Sequence, residues 1–502
     1  MNTIVLYPPD IGWRQATFRW RIEPQVDLYE KCEFSLRFPE AVDISRIPER
    51  LWWSIMLICL HSQWPLLRPC RVSLPIKLWP GEAEFWSRLM EAEAVTLEAH
   101  YGSREMSRRI EIVETGNELP APTPLADNGR CATAFSAGKD SFVQAGLLSE
   151  LTAQPILVTT TSPVPWLDDH RTKRRRQVLD ETPRRRDLIL VEVESDYRAN
   201  FRYFVAPSLG RNIDINPISD AFLFAGATLA VAYAFGAPHT FLAGEAEIQE
   251  TMEDEGEVVQ HLHYMYSVAT QEALNAHLKP YGLSHGSLIS PLHRHHLQTL
   301  FWTRYPDLCD LQYSCWELKE GELMCNRCEK CLILSARTLA MGGDPDRMGT
   351  DWISLWRTFV DWKPKPFPAE RETMTIYERH FVELHAQVAR DLALISPAAM
   401  AWAMARHAPW RLPTPAFWQA LRNYHSIYRR AREFKAGPPP GYRPGYLKFV
   451  DSLLRDRVAA IYAEHFSPAD ESSYANGLAR IERLVKWMIE PLLEGELRNR
   501  IG

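Results

Sequence analysis

Residues 136–141, Ser-Ala-Gly-Lys-Asp-Ser, have the composition of a phosphate-binding turn between an apolar strand and a helix. Backbone N–H groups freed at a helix start suit an anion, and small residues let a phosphate approach the backbone. A Walker A loop is excluded, because Thr133 stands where that motif needs Gly and Asp140 where it needs Ser or Thr. Helix capping alone is the alternative explanation, since Ser and Asp satisfy the first free N–H groups of a helix.

Four cysteines further along have the number and spacing of a metal site. They follow the pattern C-x9-C-x2-C-x2-C and are Cys315, Cys325, Cys328 and Cys331. Four thiolates suit one tetrahedral Zn²⁺, and because they leave no open coordination position we expect a structural zinc. Redox or sulfur-transfer chemistry is the alternative, but it needs exposed thiols of low pKa, which zinc would occupy.

Alternating strand and helix patterns surround the first motif. Strands are predicted at four places: 130–135, 155–161, 187–193 and 239–243. With helical crossovers between them they imply an α/β fold with a doubly wound parallel sheet, and ligands bind beyond the carboxyl ends of such strands. We therefore expect Ser136, the end of the second strand and Arg211 to converge on one crevice. The apolar run 221–237 is predicted to be a buried helix, because it is too short to span a membrane.

The rest of the chain predicts two flanking domains around this core. The predicted division is an N-terminal α+β domain, a central domain and a C-terminal helical domain: 1–125, 126–344 and 345–502. The first of these has strand-like alternation at 16–22, 32–38 and 95–100 and a helical run at 51–61. The last is rich in tryptophan. A packed helical core is favoured there, and a partner-binding face built from exposed members of the set Trp352, Trp356, Trp410 and Trp418 is the alternative.

Composition and charge narrow the class of protein. A chain of 502 residues, 46% of them hydrophobic, suits about three packed domains. The net charge of −6 gives no general attraction to nucleic acid or to an anionic membrane, so we expect neither as a partner. The arginine runs at 174–176 and 184–186 are expected to form a solvated face, and the acidic stretch 245–257 a solvated mobile loop. An N-terminus without an export pattern and an odd cysteine count favour the cytoplasm.

Together the two motifs resemble one enzyme family. Residues 136–141 are similar to the Ser-Gly-Gly-x-Asp-Ser loop of the PP-loop ATP pyrophosphatases, with Ala137 in place of the first Gly. With the cysteine pattern downstream, the chain resembles QueC, the 7-cyano-7-deazaguanine synthases, and the larger QueC-like proteins of bacterial antiphage gene clusters. The resemblance covers roughly residues 128–343. Gly210-Arg211-Asn212 is similar to the family's Pro-Gly-Arg-Asn, whereas the family's Asn-Ala-Val-Asp-like substrate stretch and its lysine after Pro291-Leu292 are missing.

The resemblance implies an ATP-dependent enzyme that forms carbon–nitrogen bonds, with ATP and Mg²⁺ as cofactors beside Zn²⁺. The implied nucleotide-binding residues are Ser136, Ala137, Gly138, Lys139, Asp140 and Ser141. Catalytic roles are implied for Asp140, Ser141 and Arg211; Arg211 would clamp a phosphate or a carboxylate, and its alternative is an ordinary surface arginine. The implied reaction adenylates a deazaguanine-like acid, releases pyrophosphate and passes the acyl group to a nitrogen nucleophile.

The acceptor is left open by the sequence. In the antiphage relatives the resemblance implies an amine of a partner protein from the same gene cluster, which the flanking domains would suit. Ammonia, which would make the protein a 7-cyano-7-deazaguanine synthase, is the first alternative, and a catalytically inactive nucleotide-binding scaffold is the second. Sulfur transfer to tRNA would need a free cysteine pair, and zinc takes the obvious cysteines. The oligomeric state is also open, a homodimer included.

Overall fold

The computed structural model describes residues 2–26, 28–67, 70–101, 110–161, 169–200, 220–249, 251–254, 257–315, 317–319, 321–365, 375–407, 414–434 and 441–466. Its strands are β1 Asn2–Leu6, β2 Asp10–Ile11, β3 Gln15–Glu23, β4 Glu33–Arg37, β5 Cys70–Lys77, β6 Ile110–Glu118, β7 Cys131–Ala134, β8 Ile156–Thr161, β9 Ile189–Ser195, β10 His239–Phe241, β11 Thr251–Asp254, β12 Glu257–His261 and β13 Ser284–Gly286.

Its α-helices are α1 Glu49–Leu60, α2 Glu82–Tyr101, α3 Lys139–Leu151, α4 Asp169–Arg185, α5 Tyr197–Asn200, α6 Asp220–Phe235, α7 Val268–Leu278, α8 Arg294–Thr303, α9 Glu329–Ala340, α10 Trp352–Thr358, α11 Ile376–Leu394, α12 Pro397–His407, α13 Pro415–Glu433 and α14 Ser452–His465. No helix among these described residues is long and apolar enough to cross a membrane.

Five parallel strands form the centre of the molecule. They lie in the order β9-β8-β7-β10-β13, and every neighbouring pair is parallel. If these five strands are numbered 1 to 5 along the chain, their order in the sheet is 3-2-1-4-5. This is a doubly wound order, in which the direction of strand addition reverses between β7 and β10. The four strands predicted here are confirmed. Ligands of open α/β sheets bind at such a reversal, outside the carboxyl ends of the strands.

The N-terminal strands continue the same sheet. Strand β4 pairs antiparallel with β9 through Leu36↔Ser195 and Arg37↔Glu194, and the sheet then runs on through β3, β1, β5 and β6. With β2 it has eleven strands. Helix α6, the apolar run predicted to be a buried helix, lies against β7, β8 and β10 on one side and α1 on the other. One apolar core therefore joins the first and the central parts of the chain.

The strand expected at 95–100 is wrong. These residues lie in α2, and the hydroxyl of Thr96 donates to the carbonyl of Ala92 one turn earlier. Six residues of alternation are too few to separate a strand from a helix, and the surrounding Glu-, Ala- and Leu-rich sequence favours helix. The apolar members of α2 are buried against the rest of the N-terminal core.

The described C-terminal helices pack against two different parts of the protein. Helices α10 to α13 share an apolar core with α9, and Trp352 and Trp356 are fully buried in it. Helix α14 instead packs on α3, where Arg457 Nη1 donates to the carbonyl of Leu151 at the end of that helix. Trp352 and Trp356 are therefore not among the exposed members of the set and cannot belong to a partner-binding face. Trp418 is half-buried, and Trp410 lies outside the described residues.

Candidate functional site

The loop between β7 and α3 opens a helix without a capping side chain. Gly138 is the N-cap residue of α3, and no side chain accepts a hydrogen bond from the first turn. Ala137 has φ = 61°, the left-handed conformation that favours glycine. For a residue with a Cβ this conformation costs about 1–2 kcal/mol. The first N–H groups of α3 are thus available to an anion.

Hydroxyl groups brace the loop from inside. Ser141 Oγ donates to the carbonyl of Gly138 across 2.9 Å, and the N–H of Gly138 donates to Ser136 Oγ across 3.4 Å. Lys139 is buried and forms an ion pair with Asp140. The Asp140 side chain keeps 35% of its surface exposed. Oxygen ligands suit Mg²⁺, and Asp140 is the carboxylate that the loop offers to it.

The loop is tied to the chain that enters the cysteine cluster. The N–H of Tyr313 donates to the carbonyl of Ala137 across 2.7 Å. The next residue, Ser314, has its Oγ 4.0 Å from the place that a Cβ on Gly138 would occupy. Cys315 follows directly, so the two motifs of the sequence lie side by side.

The four cysteines have the geometry of a zinc site. Their sulfur atoms all lie within 4.8 Å of one another. The Sγ of Cys331 is 3.4 Å from that of Cys328, 3.6 Å from that of Cys325 and 3.7 Å from that of Cys315. A tetrahedral zinc with Zn–S bonds of about 2.3 Å would separate the sulfurs by about 3.8 Å. The predicted cluster is confirmed as a group that could hold such a metal.

Backbone N–H groups support the thiolates. The N–H of Cys325 donates to Cys315 Sγ, and the N–H of Arg327 donates to Cys325 Sγ. Asn326, between them, has φ = 55°, and its side chain is held by the carbonyls of Met324 and Gly349. Hydrogen bonds from the Cys315 and Cys331 thiols lower the pKa of Cys328 to about 4. Cys328 therefore favours the deprotonated form that a metal requires, while contacts with Cys315 and Cys328 raise the pKa of Cys331.

A charged group that the sequence analysis missed lies at the carboxyl end of β10, across the sheet reversal from the loop. Glu245 Oε1 accepts a hydrogen bond from Arg294 Nε across 3.1 Å. Arg294 Nη2 donates to His380 Nε2 across 3.0 Å. Burial and the Arg294 guanidinium lower the pKa of His380 to about 3, so this imidazole is neutral and can accept. Because His380 lies on α11, the C-terminal helices reach the site.

The start of the acidic stretch, at Glu245 and Glu247, is not the solvated loop that the sequence predicted. Glu245 and Glu247 are both buried, and a β-hairpin of β11 and β12 follows them. The Glu247 carboxylate accepts from the N–H of Arg294 across 2.9 Å and lies 3.4 Å from His293 Nδ1. It therefore caps α8. The expectation failed because the partners of these acids lie almost fifty residues away in sequence.

Two further side chains complete the crevice. The Tyr266 ring packs so closely on Gly244 that a Cβ there would lie 2.3 Å from it. Burial, Glu245 and Asp140 together raise the pKa of Tyr266 above its usual value. Lys330 lies between Cys328 and Cys331 in the sequence and is exposed. Loss of hydration next to the surrounding protein lowers its pKa, while the Asp140 carboxylate and the Cys328 thiolate oppose that shift. Both residues lack a sequence signal, because only the fold brings them to the loop.

The arginine runs are mostly paired within the protein. Arg185 and Arg186 bind Asp310 and Asp307 at 2.7 and 2.6 Å. Arg175 Nη2 donates to Thr159 Oγ1 and to the carbonyl of Thr160, at the carboxyl end of β8. Arg175 and Arg186 are only partly exposed, so a simply solvated face does not describe them, whereas Arg185 is exposed as expected. Arg211 lies outside the described residues, so its predicted place in the crevice stays a prediction.

Comparisons with protein-family models, with curated proteins and with solved structures return no match for this chain.

Proposed function

We propose that the protein is an ATP-dependent enzyme that adenylates the carboxylate of a 7-deazaguanine-type acid and transfers the acyl group to a nitrogen nucleophile. The observation that carries the proposal is the position of the loop 136–141. It opens α3 at the carboxyl end of β7, at the reversal of strand order, with its helix N-terminus uncapped. That combination suits the phosphates of a nucleotide.

The proposed reaction has two steps. In the first, a carboxylate oxygen of the acid attacks the α-phosphorus of ATP; the new O–P bond forms as the bond to the β-phosphate oxygen breaks, and pyrophosphate leaves with the electron pair. In the second, a nitrogen lone pair attacks the acyl carbon, the bond to AMP breaks, and the nitrogen loses a proton. Loop N–H groups and Ser141 would stabilise charge on the phosphates in transit.

The metals have separate parts in this proposal. Asp140 would hold Mg²⁺, which would supply positive charge to neutralise the phosphates. Zinc would be held by four sulfurs, which leaves it no open position for substrate, so it stabilises the fold beside the loop. Neither reaction step passes through the zinc.

The proposed acceptor is an amine of a partner protein, in the setting of antiphage defence. This is supported by the large flanking regions, one of which contributes His380 to the surroundings of Glu245. Holding an amine near the adenylate would convert a bimolecular step into a nearly unimolecular one. Ammonia alone needs no such docking surface.

The test is product analysis with purified protein, Mg-ATP and 7-carboxy-7-deazaguanine. We expect AMP and pyrophosphate as the products. We also expect a partner protein from the same gene cluster to gain mass when it is co-expressed with this protein. Free nitrile formed from ammonia at an ordinary rate of about 1 s⁻¹ or more, with no protein modified, would select the ammonia-using synthase instead. Production of ADP and phosphate would overturn the adenylation mechanism, and ATP binding without turnover would leave a scaffold.

A further inference from the structure

Glu245 is a buried carboxylate that is anchored through one of its two oxygens. Only 9% of its side chain is exposed, and Oε1 accepts from Arg294 Nε. Among the residues that the structure describes, none forms a hydrogen bond with Oε2. A buried carboxylate held in this way presents one free oxygen in a fixed direction. This is the geometry that a proton-accepting group needs.

The charges around Glu245 come from both sides of the sheet reversal. The loop contributes Asp140 and Lys139, α8 contributes Arg294, and the same turn contributes Glu247. Burial, reinforced by the Asp140 carboxylate, raises the pKa of Glu245 above its usual value, while Arg294 and Lys139 oppose the shift. A carboxylate with a raised pKa is a stronger base, which favours its accepting a proton from a substrate.

Glu247, two residues further on, shows the opposite behaviour and serves as an internal comparison. Burial would raise its pKa too, but the His293 ring, the Arg294 guanidinium and the Arg294 N–H lower it well below the usual value. Glu247 is thus fixed as a structural anion at the start of α8. Two carboxyl groups pushed in opposite directions by their surroundings indicate different roles, and only Glu245 faces the loop.

We propose that Glu245 is the general base of acyl transfer, a role that rests on the proposed function. As the amine nitrogen attacks the acyl carbon, its N–H proton passes to Glu245 Oε2. The C–N bond forms, the bond from the acyl carbon to the AMP oxygen breaks, and AMP leaves with that electron pair. The products are the amide, AMP and a protonated Glu245, which returns its proton to water.

Arg294 and His380 are positioning residues for this base. Arg294 fixes Oε1 of Glu245, and His380 accepts from Arg294 and fixes the guanidinium in turn. The base is therefore held by a chain of contacts that begins on α11. An added C-terminal region that supports the transfer step fits a protein amine as the acceptor.

The experiment separates adenylation from transfer with Glu245→Gln, which keeps an oxygen for Arg294 but cannot take a proton. Adenylation is measured as exchange of labelled pyrophosphate into ATP in the presence of 7-carboxy-7-deazaguanine. Transfer is measured with two probe amines at pH 7, ammonium chloride and hydroxylamine, each at a high concentration that lets it stand in for the protein amine without docking. Hydroxylamine is a weakly basic amine, so its adduct with the acyl carbon loses the N–H proton to water readily and depends much less on a protein base. We expect exchange within about 3-fold of wild type, product from ammonium lowered by about 10²-fold or more, and hydroxamate within about 5-fold.

Glu247→Gln is the matched control, because it removes a buried carboxylate from the same turn that does not face the loop. Its ratio of transfer to exchange should equal that of wild type, even if its melting temperature falls. Loss of exchange in Glu245→Gln would make Glu245 part of the nucleotide site and overturn the assignment, as would unchanged transfer from ammonium. If wild type itself shows no exchange, the proposed function fails, and the assignment of Glu245 fails with it.

Discussion

The backbone N–H of Tyr313 donates to the carbonyl of Ala137, so the chain two residues before the first zinc-type cysteine holds the strained residue of the loop. Ala137 is fully buried and adopts φ = 61° without the freedom of glycine. A conformation of this kind persists only where the surroundings enforce it. The structure of the cysteine cluster and the conformation of the loop 136–141 are therefore coupled.

The first prediction concerns the metal. Cys328→Ser should lower the zinc content from about one per chain to well under one, because three sulfurs bind zinc less tightly than four. It should also weaken binding of ATP, since Tyr313 would no longer be held against Ala137. Zinc is measured by elemental analysis and ATP binding by calorimetry.

Cys309→Ser is the control for that variant. Cys309 is buried outside the cluster, and its thiol donates to the carbonyl of Phe301 across 3.1 Å, which a serine can also do. It should keep full zinc and normal ATP affinity. Full zinc retention in Cys328→Ser would contradict the four-sulfur site, and normal ATP binding by a zinc-free variant would contradict the coupling.

The second prediction concerns the loop carboxylate. Asp140→Asn should slow formation of AMP by about 10²–10³, the scale for one charge-stabilising contact. Asp127→Asn is its control, because Asp127 precedes β7 at the opposite end of that strand and binds Gly129 and His239. The measurement is AMP production at saturating Mg²⁺, with melting temperatures for both variants. A rate for Asp140→Asn near that of wild type would rule out the assigned role.

The third prediction concerns stability against pH. Burial lowers the pKa of both His61 and His285 to about 4, against about 6.5 in the unfolded chain. The unfolded state therefore binds more protons between these values. This contribution to stability is fully present above pH 6.5 and is lost as the pH falls toward about 4. At pH 5.5 each histidine should lower the free energy of unfolding by about 1 kcal/mol relative to its value above pH 6.5.

His285→Gln tests this third prediction, because Gln can replace the hydrogen bond between His285 Nδ1 and Thr240 Oγ1. Urea unfolding at pH 7.5 and 5.5 should show a smaller loss of stability in the variant than in wild type. An equal loss in both proteins would show that His285 does not carry the pH dependence.

The fourth prediction concerns the continuous sheet. A chain that begins at residue 126 should be insoluble, because it leaves the edge of β9 unpaired and uncovers the face of α6 that packs on α1. A Cβ on Gly226 would lie 2.9 Å from Cys59 Sγ, which shows how close these helices are. Arg37→Ala removes only exposed contacts, an ion pair with Glu194 at the same junction and a hydrogen bond to Gln15 Oε1, and should stay soluble. A folded, monomeric truncated chain would contradict this prediction.

The sequence was sufficient for the parts of the site whose signal is local. The strands β7 to β10, the loop from Ser136 and the four cysteines each follow from neighbouring residues, through periodicity, small-residue composition or ligand spacing. Local signals work here because backbone geometry and metal coordination impose fixed spacings.

The residues around Glu245 could not be predicted in this way. Arg294 is 49 residues from Glu245, and His380 is 86 residues from Arg294. An acid-rich stretch is predicted to be solvated unless its distant partners are known. The antiparallel pairing of β4 with β9 likewise has no periodic signal in the sequence. In both cases long-range pairing overrides local composition.

A sheet that continues from β13 through β9 to β6 resists bending, because a bend at the β4–β9 junction would break its backbone ladder. We therefore expect the N-terminal strands to move with the central strands as one rigid body. The C-terminal helix α11 touches the site through side chains and one backbone N–H, from Ile376 to Gln260 Oε1. Such contacts can part and reform. Any opening that admits a bulky acceptor should thus be a hinge of the helical side away from the crevice, with Arg294 and His380 separating first.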